Sequence, residues 1–267
     1  MARLRFSDQV VWITGASSGI GRALALELAA QGAHVALSAR RVERLEEVAS
    51  SIKAGGQKAL VVPCDVTDEE AVMRTVEEIV AHFGRLDVAI ANSGFGVSGR
   101  VESLHAADWR RQLETNVVGL AITARYALPH LRRTRGRLAL TGSAMGMFAA
   151  PGFGAYSASK YAVRAIGQTL AMELYGSGVS CTLLEPGYVE SEIGQVDSRG
   201  RFHPEARDRR PQRLMWPADR AARVMVRAID RRQRECVLTG HGKVGAFFGR
   251  HAPWLVHWVV TRLTTRR

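Results

Sequence analysis

The chain has 267 residues, 46% of them apolar, enough to bury the core of one large α/β domain or two small ones. Its formal net charge of +12 is almost all arginine and gathers after residue 199, in RGRFHPEARDRRPQR and the terminal TRLTTRR. No basic run interleaved with aromatics and no zinc-finger spacing precedes it, so nucleic-acid binding is set aside and the excess reads as a solvated basic face.

Short apolar runs alternate with stretches of helical length from the start. VVWIT (10–14) predicts a buried strand, GIGRALALELAAQG a helix ending at Gly32, HVALSA a strand and VERLEEVASSIKAGG a helix with a glycine stop. KALVVPCD is the third strand, DEEAVMRTVEEIVAHFG the third helix and LDVAIANSG the fourth strand. A long helix is predicted over 106–131, then GRLALTGS as the fifth strand, a helix over 156–175 and VSCTLLEPG as the sixth strand. PADRAARVMVRAIDRR and ECVLTG supply a further helix and strand. The rhythm breaks at 188–216, rich in charge, glycine and proline, which predicts an inserted lid with one short helix. Such alternation predicts a doubly wound parallel sheet with helices on both faces, one domain over residues 1–267, and ligands at the carboxyl ends of the strands. No apolar run reaches the ~20 residues of a spanning helix. The odd, dispersed Cys64, Cys181 and Cys236, with no signal-like start, predict a reducing cytoplasmic location.

TGASSGIG places Gly15, Gly19 and Gly21 between the first strand and the first helix. Glycines there permit a tight turn and close backbone approach, and the helix N-terminus offers free N–H groups and partial positive charge to a dinucleotide's diphosphate. No Gly-Lys-Ser/Thr follows, which removes the P-loop kinases and ATPases. Gly15, Ser17 and Gly19 also satisfy G-x-S-x-G, the nucleophile elbow of a serine esterase, although that elbow normally follows several strands rather than the first. Further on, AYSASKYAV sets Tyr156 and Lys160 four apart, on one face of a helix. Taken alone, that spacing is also what an ordinary surface pair shows.

TGASSGIG, Asp65 in CDVTD, ANSG (91–94), Asn116 in ETNVVG, Ser143 in LTGSAMG, YSASK and EPGYVES occur in this order at predicted strand ends and helix starts. Together, over residues 8–240, they resemble the short-chain dehydrogenase/reductases, which implies a single-domain Rossmann-type fold and NAD(P)-dependent oxidoreduction of a carbonyl or secondary alcohol. The resemblance implies that Tyr156 is the acid/base, Lys160 its activator and a ribose ligand, Ser143 the substrate-orienting hydroxyl and Asn116 the holder of a proton-relay water. It implies a cofactor site made by Gly15, Ser17, Ser18, Gly19, Ile20 and Gly21, by Arg40 and Arg41, by Asp65 and Val66, by Asn92 and Gly94, by Tyr156 and Lys160, and by Pro186, Gly187, Val189 and Ser191. No metal is expected. A free tyrosine titrates near ~10, and a nearby ammonium favours its phenolate.

Cofactor choice is read at the end of the second strand, where an acidic residue would bond a ribose 2′-hydroxyl and an arginine a 2′-phosphate. The sequence there is LSARRVE, with Ala39 where NAD-preferring members of the family carry Asp, followed by Arg40 and Arg41. NADP(H) is predicted over NAD(H). Ser18 stands where many NADP-binding relatives carry a second basic residue, and Ser191 replaces a common threonine but keeps its hydroxyl.

The lid arginines Arg199, Arg201, Arg207, Arg209, Arg210 and Arg213 form a solvated surface or greet an anionic substrate. The tail over 243–267 has Trp254, Leu255, Trp258, Val259 and Leu263 at helical spacing beside arginines; it packs on its own or a neighbouring subunit, covers the substrate pocket, or lies on an anionic membrane. A homodimer or homotetramer through the helices at 106–131 and 156–175 is what the resemblance implies. Three functions stand: an NADP(H) oxidoreductase on a small-molecule substrate, a dinucleotide-binding sensor without catalysis, and an esterase using Ser17. Asn116, Ser143, Tyr156 and Lys160 together argue against the sensor, which needs no proton relay.

Overall fold

A computed structural model describes residues 4–208 and 210–264, the last two by backbone only; Arg209, the side chain of Leu263 and the terminal arginines therefore lie outside the described residues. Seven parallel strands form one sheet in the order β3-β2-β1-β4-β5-β6-β7: β1 (Val10–Thr14), β2 (His34–Ser38), β3 (Ala59–Val61), β4 (Val88–Ala91), β5 (Arg137–Thr141), β6 (Ser180–Glu185) and β7 (Glu235–Val237). Between them run α1 (Gly19–Ala30), α2 (Val42–Ala54), α3 (Glu69–Phe83), α4 (Ala106–Leu113), α5 (Gly119–Thr134), α6 (Gly154–Glu173) and α7 (Ala218–Asp230). β1 pairs with both β2 and β4, so the strand order reverses beside β1, and a crevice opens where the connections diverge.

Strands β1 to β6 each serve two cores because successive side chains point to opposite faces. In β1, Val11 and Ile13 pack with α1, α2 and α7, whereas Val10 and Trp12 pack with α3, α5 and α6. That two-sided burial explains why the strands read as continuous apolar runs. Helix ends follow local chemistry: the Asp68 carboxylate accepts from Ala71 N at 3.0 Å to start α3, and Gly84, at φ +76°, stops it.

The structure refines three expectations. The helix predicted over 106–131 is two helices joined by a π turn, Glu114–Val118, and it extends to Thr134. The lid contains two short 3₁₀ turns, Glu192–Gln195 and Gln212–Leu214, rather than one helix. The tail is α8 (Gly240–His251) and α9 (Pro253–Thr264), broken at Ala252 because the residue before a proline is driven from helical conformation. No helix among the described residues is long and apolar enough to cross a membrane.

Leu131, fully buried between α5 and the sheet, tests this packing. Leu131→Ala is expected to cost about 2–5 kcal/mol, read as a lower denaturant midpoint. Leu214→Ala, at a side chain 45% exposed, is expected to cost about 0.5 kcal/mol or less.

Candidate functional site

After β1 the chain turns through Gly15 (φ +68°) and Gly19 (φ +51°), a region of backbone space that a Cβ strains. Space forbids side chains too: a Cβ on Gly19 would lie 2.8 Å from Ser191 Cβ, and one on Gly21 would overlap the Gly15 carbonyl oxygen. Ser18 caps α1 without accepting a hydrogen bond from the helix amides through its side chain, which leaves the first-turn amides to an anion, and Ile20 follows in that turn. The cradle therefore fits a diphosphate. Asn92, at the end of β4, holds the turn from behind, its Nδ2 donating to Thr14 O at 3.1 Å and Gly15 O at 3.4 Å. Gly94 is small because the Asn116 side chain faces it: a Cβ there would lie 3.1 Å from Asn116 Oδ1.

At the end of β2, Arg41 Nη2 donates to Ser18 Oγ at 2.9 Å and Ser17 Oγ at 3.2 Å. Arg40 Nη1 lies 4.0 Å from Asp65 Oδ2, while Asp65 Oδ1 accepts from the Thr67 amide and hydroxyl. Val66 is buried against α5, where a Cβ on Gly119 would meet its Cγ2 at 2.8 Å.

The four residues singled out for chemistry converge at the carboxyl ends of β4, β5 and β6. Ser143 follows β5 and sits beside half-buried Tyr156 in the first turn of α6, close enough for its hydroxyl to lower the phenol's pKa. Lys160, one turn on and 5% exposed, places Nζ 5.8 Å from the Tyr156 ring centroid and donates to Thr141 O at 2.9 Å. Asn116 sits in the π turn, 1% exposed; its side chain accepts from Phe95 N at 3.1 Å and donates to Phe95 O at 3.0 Å and Ser159 Oγ at 3.2 Å. Ser159 Oγ donates in turn to Tyr156 O at 2.7 Å. A π turn inserts a residue into a helix and commonly aims a side chain inward, and periodicity alone does not reveal it.

One electrostatic expectation is overturned. Tyr156 is not drawn below the ordinary phenol range: burial raises it, the Ser143 hydroxyl lowers it, Glu185 raises it further and Arg210 lowers it. The Lys160 ammonium is turned toward the Thr141 carbonyl, and burial brings it down to about 8, opposed by Glu185.

The segment after β6 lines the other wall. Pro186 O accepts from Ala144 N, and Gly187 lies against Thr239 and His241, where a Cβ would have no room. Val189 is buried and bridges Trp216. Ser191 accepts from Arg210 through both Oγ (3.1 Å) and its carbonyl (2.6 Å), and Arg210 also donates to Val189 O and pairs with Asp208. Arg210 is thus a structural clamp within the lid rather than part of a solvated basic face. α8 packs on its own chain: a Cβ on Gly245 would lie 2.7 Å from Phe148, and one on Gly249 would overlap Met147 O. Trp254 and Trp258 of α9 remain exposed.

Residue types and spacing did not expose Glu185. Its Oε2 accepts from Ser143 N at 2.6 Å, Arg164 Nη1 lies 3.7 Å from Oε1, and burial pushes the carboxyl up to about 8. The available signal was a carboxylate closing the apolar run SCTLLE. Among the described residues no cluster of His, Cys, Asp or Glu could hold a metal ion.

With this geometry in view, similarity to known proteins is specific. The short chain dehydrogenase family model matches residues 9–201. The chain is 41% identical over 198 residues to an 11-beta-hydroxysteroid dehydrogenase A of Arachis hypogaea, an alignment covering 73% of this chain and 55% of the relative. It thus spans about half the length of that plant relative. It is 35% identical to the meso-2,3-butanediol dehydrogenase of Serratia marcescens, covering 71% of this chain and 75% of that one. A short chain dehydrogenase/reductase from Burkholderia phymatum in complex with NAD superposes with a TM-score of 0.80 at 29% identity, covering 86% of this chain and 89% of that one. An alcohol dehydrogenase from Thermococcus sibiricus complexed with 5-hydroxy-NADP gives a TM-score of 0.75 at 30% identity, covering 86% and 96%. Sequence match, sheet order and similarity to solved structures agree that the chain belongs to the short-chain dehydrogenase/reductase family of oxidoreductases.

Proposed function

We propose that the chain works as one catalytic unit, an NADP(H)-dependent oxidoreductase that interconverts a carbonyl and a secondary alcohol, with Tyr156 as acid/base. The observation that carries this reading is the convergence of the Ser143 hydroxyl, the Tyr156 phenol and the Lys160 ammonium beside a glycine cradle that side chains would close. The cradle and the α1 N-terminus would hold the diphosphate, Arg40 and Arg41 the 2′-phosphate, Lys160 the ribose, and the backbone from Pro186 to Ser191 the nicotinamide end. When bound, the nicotinamide supplies or accepts the hydride. Ser143 orients the substrate oxygen, and Tyr156 exchanges a proton with it. The raised phenol stays protonated through neutral pH, the form that donates to a carbonyl oxygen. Asn116 fixes Phe95 and, through Ser159, the first turn of α6; Oδ1 keeps one lone pair for a relay water. Exposed Tyr161 and Met172 on α6 support self-association through that helix. The esterase alternative fares poorly, because Ser17 Oγ is paired with Arg41, and a guanidinium takes no proton from a nucleophile.

A panel of carbonyls and alcohols followed at the NADPH absorbance band tests the reading. Tyr156→Phe is expected to lower turnover by about 10²-fold or more while leaving NADPH binding in place. A parent that binds cofactor but turns over nothing on a broad panel is instead a sensor. Turnover with NADPH is expected to exceed that with NADH at equal concentration, and the reverse order refutes the 2′-phosphate role of Arg40 and Arg41.

Glu185 predicts a pH dependence of stability. Its folded pKa, about 8, lies above the unfolded value of 4.5, so the folded chain holds the extra proton between those limits. Stability from this group is whole below about 4.5, declines as pH rises, and is lost above about 8. Relative to Glu185→Gln, the parent is expected to lose melting temperature steadily across that window, and parallel profiles would refute the assignment.

A further inference from the structure

Both arginines at the end of β2 are engaged by the lid. Arg40 Nη2 donates to Gly200 O at 3.3 Å, at the tip of a turn closed by Asp197, whose Oδ1 accepts from the amides of Arg199 and Arg201. Arg41 Nη2 lies 2.7 Å from Glu192 Oε2, and the Phe202 ring sits 5.6 Å from its guanidinium carbon. The same nitrogen reaches Ser17 and Ser18 of the glycine loop, so one guanidinium joins lid and cradle. Glu192 does not wander into this contact. It opens the 3₁₀ turn Glu192–Gln195, and the preceding Ser191 is clamped by Arg210.

A phosphate ester at Arg41 would bring negative charge against the Glu192 carboxylate, both directed at one guanidinium. Arginine binds either anion through the same planar donors, so the two compete. We propose that Glu192 is a specificity-determining residue at the cofactor's 2′ position: it competes with a ribose 2′-phosphate for Arg41, which weakens NADP(H) binding but not NAD(H) binding, and phosphate binding frees the lid from the glycine loop. A hydroxyl, being neutral, leaves the pair intact. This inference rests on the reading that Arg41 meets the 2′-phosphate.

Dissociation constants for NADPH, NADH, 2′,5′-ADP and 5′-ADP, measured by calorimetry on the full chain and on Glu192→Gln, test it. The variant is expected to bind NADPH and 2′,5′-ADP about threefold or more tighter, the scale of a partly exposed ion pair. NADH and 5′-ADP should bind as in the parent, which also reports an intact fold. The gain should shrink in high salt. A second readout uses the parent alone: 2′,5′-ADP should speed tryptic cleavage after Arg199 and Arg201 relative to 5′-ADP. If the parent prefers NADPH but the variant keeps the same NADPH/NADH affinity ratio, or if both nucleotides give equal cleavage, the competition is refuted while the cofactor reading survives. If neither the parent nor Glu192→Gln binds NADPH and 2′,5′-ADP more tightly than NADH and 5′-ADP, the cofactor reading itself fails and the inference with it.

Discussion

The Lys160 ammonium, buried and held by the Thr141 carbonyl at 2.9 Å, pins α6 to the carboxyl end of β5. A buried cation without an acceptor is costly, so this bond sets the rotation of the helix. Once it is set, Tyr156 must rise from the same face one turn earlier, where Ser143 meets it. Glu185 completes the arrangement from β6 by holding the Ser143 amide at 2.6 Å. Two adjacent strands, β5 and β6, and one helix are thereby tied to a single small volume.

That volume carries opposing titrations. Burial brings Lys160 down to about 8 and Glu185 up to about 8, so both groups change state just above neutrality. The Tyr156 phenol, pushed up by the same burial and by Glu185, stays protonated at neutral pH and holds that proton more tightly than a free phenol. Cationic charge near it acts in the opposite direction, as Arg210 already does from the lid. Lid position and proton affinity are physically linked through that arginine.

The lid is ordered by side chains that look, in isolation, like surface charge. Arg111 Nε donates to Ser198 O at 3.1 Å, Arg40 to Gly200 O, and Arg210 to Ser191 and Val189, while Arg41 forms an ion pair with Glu192. Guanidinium groups suit this work because their planar donors satisfy several carbonyl and carboxylate oxygens at once. α8 closes the other side over the loop after Ser143, with glycines at Gly245 and Gly249 where Phe148 and Met147 approach.

What was legible without coordinates followed local rules. Apolar runs separated by helical periods gave the strands and helices of the sheet, glycines marked the turn before α1, and a four-residue interval put Tyr156 and Lys160 on one helical face. Those features depend on neighbours within a turn or a strand, so residue order alone determines them. The π turn around Asn116, the Glu185 carboxyl beneath Ser143, the Arg41–Glu192 pair and the inward packing of α8 were decided only by tertiary structure. The last three join residues far apart in the chain, and the π turn is held by the bonds of Asn116 to distant Phe95 and Ser159; the energy of each depends on burial and on a partner's orientation, neither of which exists until the sheet has brought its edges together.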